Sequence, residues 1–146
     1  MKAPAFPVAV VMERLQLGDK WQTEKWEAVG VIAFSTESSV RTLLRDASRE
    51  QILYPGLEIT LYRDECEGYL ANLGGAHPKV FVAWRKEEEV AKPWFVTVSY
   101  NEAARLMDGG EQVDGVPMPV EIAAWAMPFA QENYHPAPEK IRRKKW

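Results

Sequence analysis

The chain has one cysteine, two histidines and no long apolar run, and each shortage closes off a class of functions. A lone Cys66 excludes an internal disulfide and a zinc site built from cysteines. Its neighbours Asp64, Glu65 and Glu67 would raise a thiol's pKa, the opposite of what a cysteine nucleophile needs. His77 and His135 each precede a proline and lie far apart, so no histidine pair stands at metal-ligand spacing. There is no Gly-x-Ser-x-Gly nucleophile elbow, and the paired glycines Gly74-Gly75 and Gly109-Gly110 belong to no phosphate-cradling motif. Turn formation accounts for both pairs. No segment approaches the roughly 20 apolar residues of a membrane helix. The opening MKAPAFPVAVVMERL carries Pro4 and Pro7 and runs into a strand pattern, which does not suit a signal peptide. These absences predict a soluble, cytoplasmic protein with no metal and no cofactor.

What is present points to β-structure under a helical cover. Hydrophobic residues make up 47% and charged residues 27%, which suits a folded chain and not a disordered one. At 146 residues the simplest organisation is one β-rich domain over 1–136 with a basic tail over 137–146. The tail, APEKIRRKKW, carries +4, so the chain's −3 leaves −7 for residues 1–136. A mildly acidic body with a basic end is an interaction-tail pattern.

Taken in order, Val8 to Leu15 reads as a strand, Gly18-Asp19 as a turn, and Trp21 to Phe34 as a longer strand with a bulge at Gly30. Between 36 and 50 two readings compete. Val40, Leu43, Leu44 and Ala47 fit a helical face, whereas Asp46-Ala47-Ser48 suits the turn of a hairpin with arms Val40–Arg45 and Gln51–Tyr54. The β-structure on both sides favours the hairpin. Pro55-Gly56 signals a turn, after which Leu57, Ile59 and Leu61 alternate with polar neighbours as in a half-buried strand. Asp64 to Gly68 reads as a turn, Tyr69 to Leu73 as a returning strand, and Val80 to Arg85 as a central one. Trp94 to Tyr100 closes the series.

The stretch 94–134 reads as strand, helix, glycine-rich turn and aromatic helix. Asn101 suits an N-cap, Ala103, Leu106 and Met107 share a side, and Gly109-Gly110 ends the helix. Asp114-Gly115 signals a further turn. Ile122, Trp125, Ala126 and Phe129 then recur at helical spacing, with Pro119 at the start and Pro128 predicting a kink or break near Met127. The fold expected is α+β: an antiparallel meander of about seven or eight strands, as a curved sheet or open barrel, capped by two C-terminal helices. The strand-then-helix order also allows a pleckstrin-homology-like arrangement.

The candidate chemistry is sparse. Asp64, Glu65 and Glu67 could set two acids on one turn for general acid–base work, although nothing nearby would separate their pKa values. Trp21, Trp26, Trp84, Trp94 and Trp125 exceed what a chain of this length commonly carries, and two or three could line a groove for a ligand or partner. The acidic body argues against a nucleic-acid groove. The basic run Lys140, Arg142, Arg143, Lys144 and Lys145, with Ile141 and terminal Trp146, reads as a solvated end, or could dock on an acidic partner surface or bind nucleic acid or anionic lipid nonspecifically.

Several blocks, PVAVVMER (7–14), WQTEKWEAVGV (21–31), LYPGLEITLYRDECEGYLANL (53–73), VFVAWR (80–85) and VTVSYNEAARLMDGGEQVDGVPMP (96–119), resemble an uncharacterised proteobacterial family of unknown function. The resemblance implies genes near formate dehydrogenase or other molybdenum enzymes, and brings no catalytic residues. An automatic label in that family, molybdopterin-guanine dinucleotide synthesis, does not fit a chain without a glycine-rich nucleotide loop or βα alternation. The function expected is therefore a non-enzymatic accessory or assembly factor that binds a protein partner, such as a molybdenum-enzyme subunit. Its expected contact residues are Glu102, Arg105, Asp108 and Trp125 with Lys140, Arg142, Arg143, Lys144, Lys145 and Trp146. The alternatives are a β-barrel that binds a pterin or nucleotide, and an enzyme built on the carboxylates at 64–67.

Overall fold

The computed structural model describes residues 3–136. Its strands are β1 (Ala5–Gln16), β2 (Glu24–Ala33), β3 (Arg41–Arg45), β4 (Arg49–Thr60), β5 (Lys79–Glu87), β6 (Val90–Thr97) and β7 (Gln112–Pro117). A 3-10 turn at Arg63–Glu65 leads into helix α1 (Cys66–Leu73), and two further helices follow, α2 (Tyr100–Asp108) and α3 (Val120–Asn133). The α+β class stands, but the single meander does not. The strands form two separate antiparallel sheets, in the orders β2-β1-β4-β3 and β6-β5-β7. They approach along two borders, β2 by β7 and β4 by β6, without a shared ladder, so no closed barrel forms.

Three strand and turn expectations are overturned, each for a physical reason. Tyr69 to Leu73 is helix, not strand. Cys66, Tyr69 and Leu73 fall at i, i+3 and i+7 and are all buried, a helical spacing hidden by Gly68 and the acids before it. Pro55-Gly56 is not a turn between strands but a bulge inside β4. Val8 pairs with Leu57 and Val10 with Tyr54, so one residue of β1 faces two of β4, and Gly56 takes φ 84°. Asp114-Gly115 lies within β7, where Gly115 leaves room for the Phe81 ring 3.4 Å from where its Cβ would stand.

Several other local signals act as read. Asp46 Oδ1 accepts from the N–H groups of Ser48 and Arg49, at 2.8 and 2.9 Å, closing the β3–β4 hairpin. The β1–β2 register slips between Val11 and Met12, opposite Gly30 and its neighbour. β5 is the central strand of its sheet. Helix α3 runs through Pro128 to Asn133 without the break expected near Met127. It buries Ile122, Ala126 and Ala130 completely, and seats Trp125 5.1 Å from the Phe6 ring.

The sheets are bridged by a side chain. Asp114 Oδ2 on β7 accepts from the Ala28 N–H of β2 at 2.8 Å and from Trp84 Nε1 of β5 at 2.7 Å. Asp114→Asn, which removes the charge from both bonds, is expected to lower stability by about 1 kcal/mol, read from urea denaturation. The β5–β6 hairpin carries the opposite kind of defect. Its two-residue loop, Glu88-Glu89, holds both residues at positive φ, 51° and 68°, a conformation suited to Asn-Gly. Replacing Glu88-Glu89 by Asn-Gly should raise stability by ~1 kcal/mol in the same assay.

Candidate functional site

The block from Trp94 to Gly110 builds one surface from two elements. On β5 and β6 the register sets Val80, Val82, Val96 and Val98 towards the core, which turns Phe81, Phe95 and Thr97 to the opposite face. Trp94 is the extra residue of a bulge, since Ala83 pairs with Phe95 and Trp84 with Pro93. Its ring lies 5.6 Å from that of Phe95, and the Arg85 guanidinium stacks 4.2 Å above it. Arg85 is held there by the Glu111 carboxylate, with Nε 2.8 Å from Oε1. At the other end Tyr100 meets Phe81 edge-on at 6.1 Å. The result is an aromatic strip whose ends stay open: Trp94 is 39% exposed and Tyr100 57%. Met107, about two helical turns beyond Tyr100 on the same side of α2, is 50% exposed and extends the strip along the helix.

The start of α2 is fixed by a buried polar network, with Ser99 and not Asn101 as the N-cap. Ser99 Oγ accepts from the Glu102 N–H at 3.0 Å and donates to Glu65 Oε2 at 2.6 Å. The Ser99 N–H donates to Thr97 Oγ1, which donates to Glu102 Oε1 at 2.6 Å. This is a capping box relayed through a threonine. Arg105 closes the far side of Glu65 in an ion pair. Ser-x-x-Glu at 99–102 was the available signal for it in the sequence.

That network redistributes the expected partner residues. Glu102 is engaged by Thr97, and Arg105, although its side chain is exposed, is paired with Glu65. Asp108 is exposed at the end of α2. Trp125 lies apart, half-buried against Phe6, on the face α3 turns to the core. Phe95 and Tyr100 fall within the expected block 94–110 without being singled out, and Phe81 lies outside it; strand register, and not spacing within one element, places them beside Trp94. Lys140, Arg142, Arg143, Lys144, Lys145 and Trp146 lie outside the described residues.

The carboxylates at 64–67 part company. Glu65 turns to Ser99 and Arg105, while Asp64 and Glu67 are exposed. Cys66 is buried, and that burial, with Asp64 adding to it, pushes its thiol pKa up, so it is not an activated nucleophile. His77 and His135 are exposed. Among the described residues no group of three or more His, Cys, Asp or Glu is placed to hold a metal, and no helix is long and apolar enough to cross a membrane.

A concavity lies beside the 3-10 turn and the C-terminal half of α3. A cleft of about 610 Å³ is lined by Pro4, Leu61, Tyr62, Phe129, Asn133 and the Arg63-Asp64 pair. A neighbouring hollow of about 350 Å³ shares Arg63, Asp64 and Asn133 and adds Glu67, Tyr134 and His135.

Comparison with curated proteins and with solved structures returns no match. A family model, described as a protein of unknown function (DUF3305), matches residues 7–145, nearly the whole chain. The chain therefore belongs to the DUF3305 family of proteins of unknown function.

Proposed function

We propose that this protein is a non-enzymatic accessory factor that holds a protein partner on the face formed by α2 and the outer side of the three-stranded sheet. The observation that carries the reading is the aromatic strip, open at Trp94 and Tyr100 and continued by Met107. Tryptophan, tyrosine and arginine are the residues that dominate binding energy at protein interfaces, and here Arg85 is already stacked and neutralised. Little reorganisation of that centre would be needed on docking. Asp108 sits at the rim. The family resemblance set out above makes a cytoplasmic molybdenum-enzyme subunit of a proteobacterium, such as one of formate dehydrogenase, the first partner to test.

The experiment is a pull-down from the native host with the full chain and with Trp94→Ala/Tyr100→Ala. Each truncated anchor is expected to cost about 2 kcal/mol of binding, so capture by the pair should fall well beyond tenfold. Circular dichroism of the variant should be unchanged, since both rings are partly exposed. Equal capture by both proteins would remove this face from consideration. Replacing Glu102 and Arg105 instead would confound the result, because both support the start of α2.

A further inference from the structure

We propose that the double cleft beside α1 is a second binding site, distinct from the aromatic strip, and that its occupant is a short basic peptide segment of a protein partner with an aromatic anchor. The two hollows meet at Arg63, Asp64 and Asn133, so together they form one groove with an apolar lobe and a polar lobe. In the apolar lobe Leu61 forms the floor, and Pro4, Phe129 and the half-exposed Tyr62 form the walls. A planar side chain inserted there would bury its faces against rings and aliphatic carbon. Beside His135, the polar lobe is lined by two exposed carboxylates, Asp64 and Glu67, and one cation, Arg63. Among the described residues none of the three enters an ion pair, in contrast to Glu65 between them, which Arg105 neutralises. The excess at the rim is negative, and the full chain's net charge of −3 has the same sign, which favours a basic ligand. Both lobes open to the surface, which suits a segment of chain lying across them.

The probe is the acetylated, amidated pentapeptide Arg-Lys-Trp-Arg-Lys with a fluorescent label, titrated into the full chain and followed by fluorescence anisotropy. Asp64→Asn/Glu67→Gln and, separately, Tyr62→Ser are each expected to weaken binding at least tenfold. Raising salt from 50 to 500 mM should weaken it for the wild-type chain more than for the double variant. The two carboxylate replacements keep the side-chain size at the start of α1, and circular dichroism checks that the helix persists. Trp94→Ala/Tyr100→Ala should leave peptide affinity unchanged, so failure at one surface does not imply failure at the other. No binding, or equal binding of a Glu-for-Arg/Lys version of the peptide, would overturn the proposal. So would binding that emerges only when Lys140, Arg142, Arg143, Lys144 and Lys145 are neutralised, which would assign the groove to this chain's own sequence. A small molecule retained there in native mass spectrometry would overturn it as well.

Discussion

Asn72→Ala is expected to lower stability by about 4 kcal/mol, a loss of roughly 10 °C in Tm for a domain of this size. Asn72 is buried on α1, and its amide closes three bonds to two different segments. Nδ2 donates to the Lys79 carbonyl at 2.7 Å and to the Val98 carbonyl at 2.9 Å, while Oδ1 accepts from the Lys79 N–H at 2.9 Å. Lys79 is the first residue of β5, and Val98 joins β6 to α2. One side chain therefore ties a helix to the beginning of one strand and the end of its neighbour. Alanine would leave a donor and two acceptors without their partner, each a desolvation penalty of about 1–3 kcal/mol. Asn72→Asp makes the sharper test. It keeps an acceptor for the Lys79 N–H but sets a carboxylate against two carbonyl oxygens, so it should cost at least as much as alanine. Thermal denaturation of both variants settles the matter: a mild aspartate phenotype would mean that the carbonyls do not need this donor.

Gly68→Ala should lower stability by about 2–3 kcal/mol, although the same change in an exposed helix would raise it by about 1 kcal/mol. The sign reverses because a Cβ at Gly68 would stand 2.2 Å from Ser99 Oγ and 3.2 Å from the Asn101 nitrogen. Neither is the free end of a long side chain. Ser99 is fully buried and its oxygen is committed to Glu65 and to the Glu102 N–H. To admit a methyl group, α1 has to move away from the start of α2, and the network from Glu65 to Arg105 goes with it. Ser99→Ala alone should cost about 1 kcal/mol, the value of a lost helix cap. The double variant should cost less than the two losses together, because removing the oxygen also removes the closest clash. Additive losses in urea denaturation would show that the contact is not what makes Gly68 necessary.

How much of this was legible in the sequence depended on whether the signal was local. The β3–β4 hairpin follows from Asp46-Ala47-Ser48, because the aspartate's bonds to Ser48 and Arg49 lie within its own turn. The end of α2 at Gly109-Gly110 is legible for the same reason, with Gly110 at φ 89°. Helix α1 was not, since its apolar spacing is short and begins among residues that also favour turns. Pro55-Gly56 misled because a bulge and a turn ask for the same dipeptide, and only the pairing of β1 with β4 distinguishes them. The division into two sheets was equally out of reach. It rests on which strands pair, and β2 and β3, neighbours in sequence, end on opposite edges of one sheet. At the candidate site Trp94 was visible as an excess tryptophan. Phe81 and Tyr100 joined it only once register and helix direction were known.

The order in which the two sheets become complete bears on how the chain is made. The four-stranded sheet has all its strands once Thr60 has been synthesised, whereas the three-stranded one lacks β7 until Pro117. Between those points the growing chain holds a finished sheet whose inner face, with Val8, Val10, Met12 and Ile59, is only partly covered by the core residues that follow it. Such a face on a nascent chain is a site for wrong association and for chaperone capture. The Asp114 carboxylate arrives with β7, the last strand among the described residues, and joins a strand made 86 residues earlier. Its bond to Ala28 therefore works as a latch, closing only after every other strand is present, and slow synthesis across residues 61–117 is expected to lower the yield of folded protein more than slow synthesis before them.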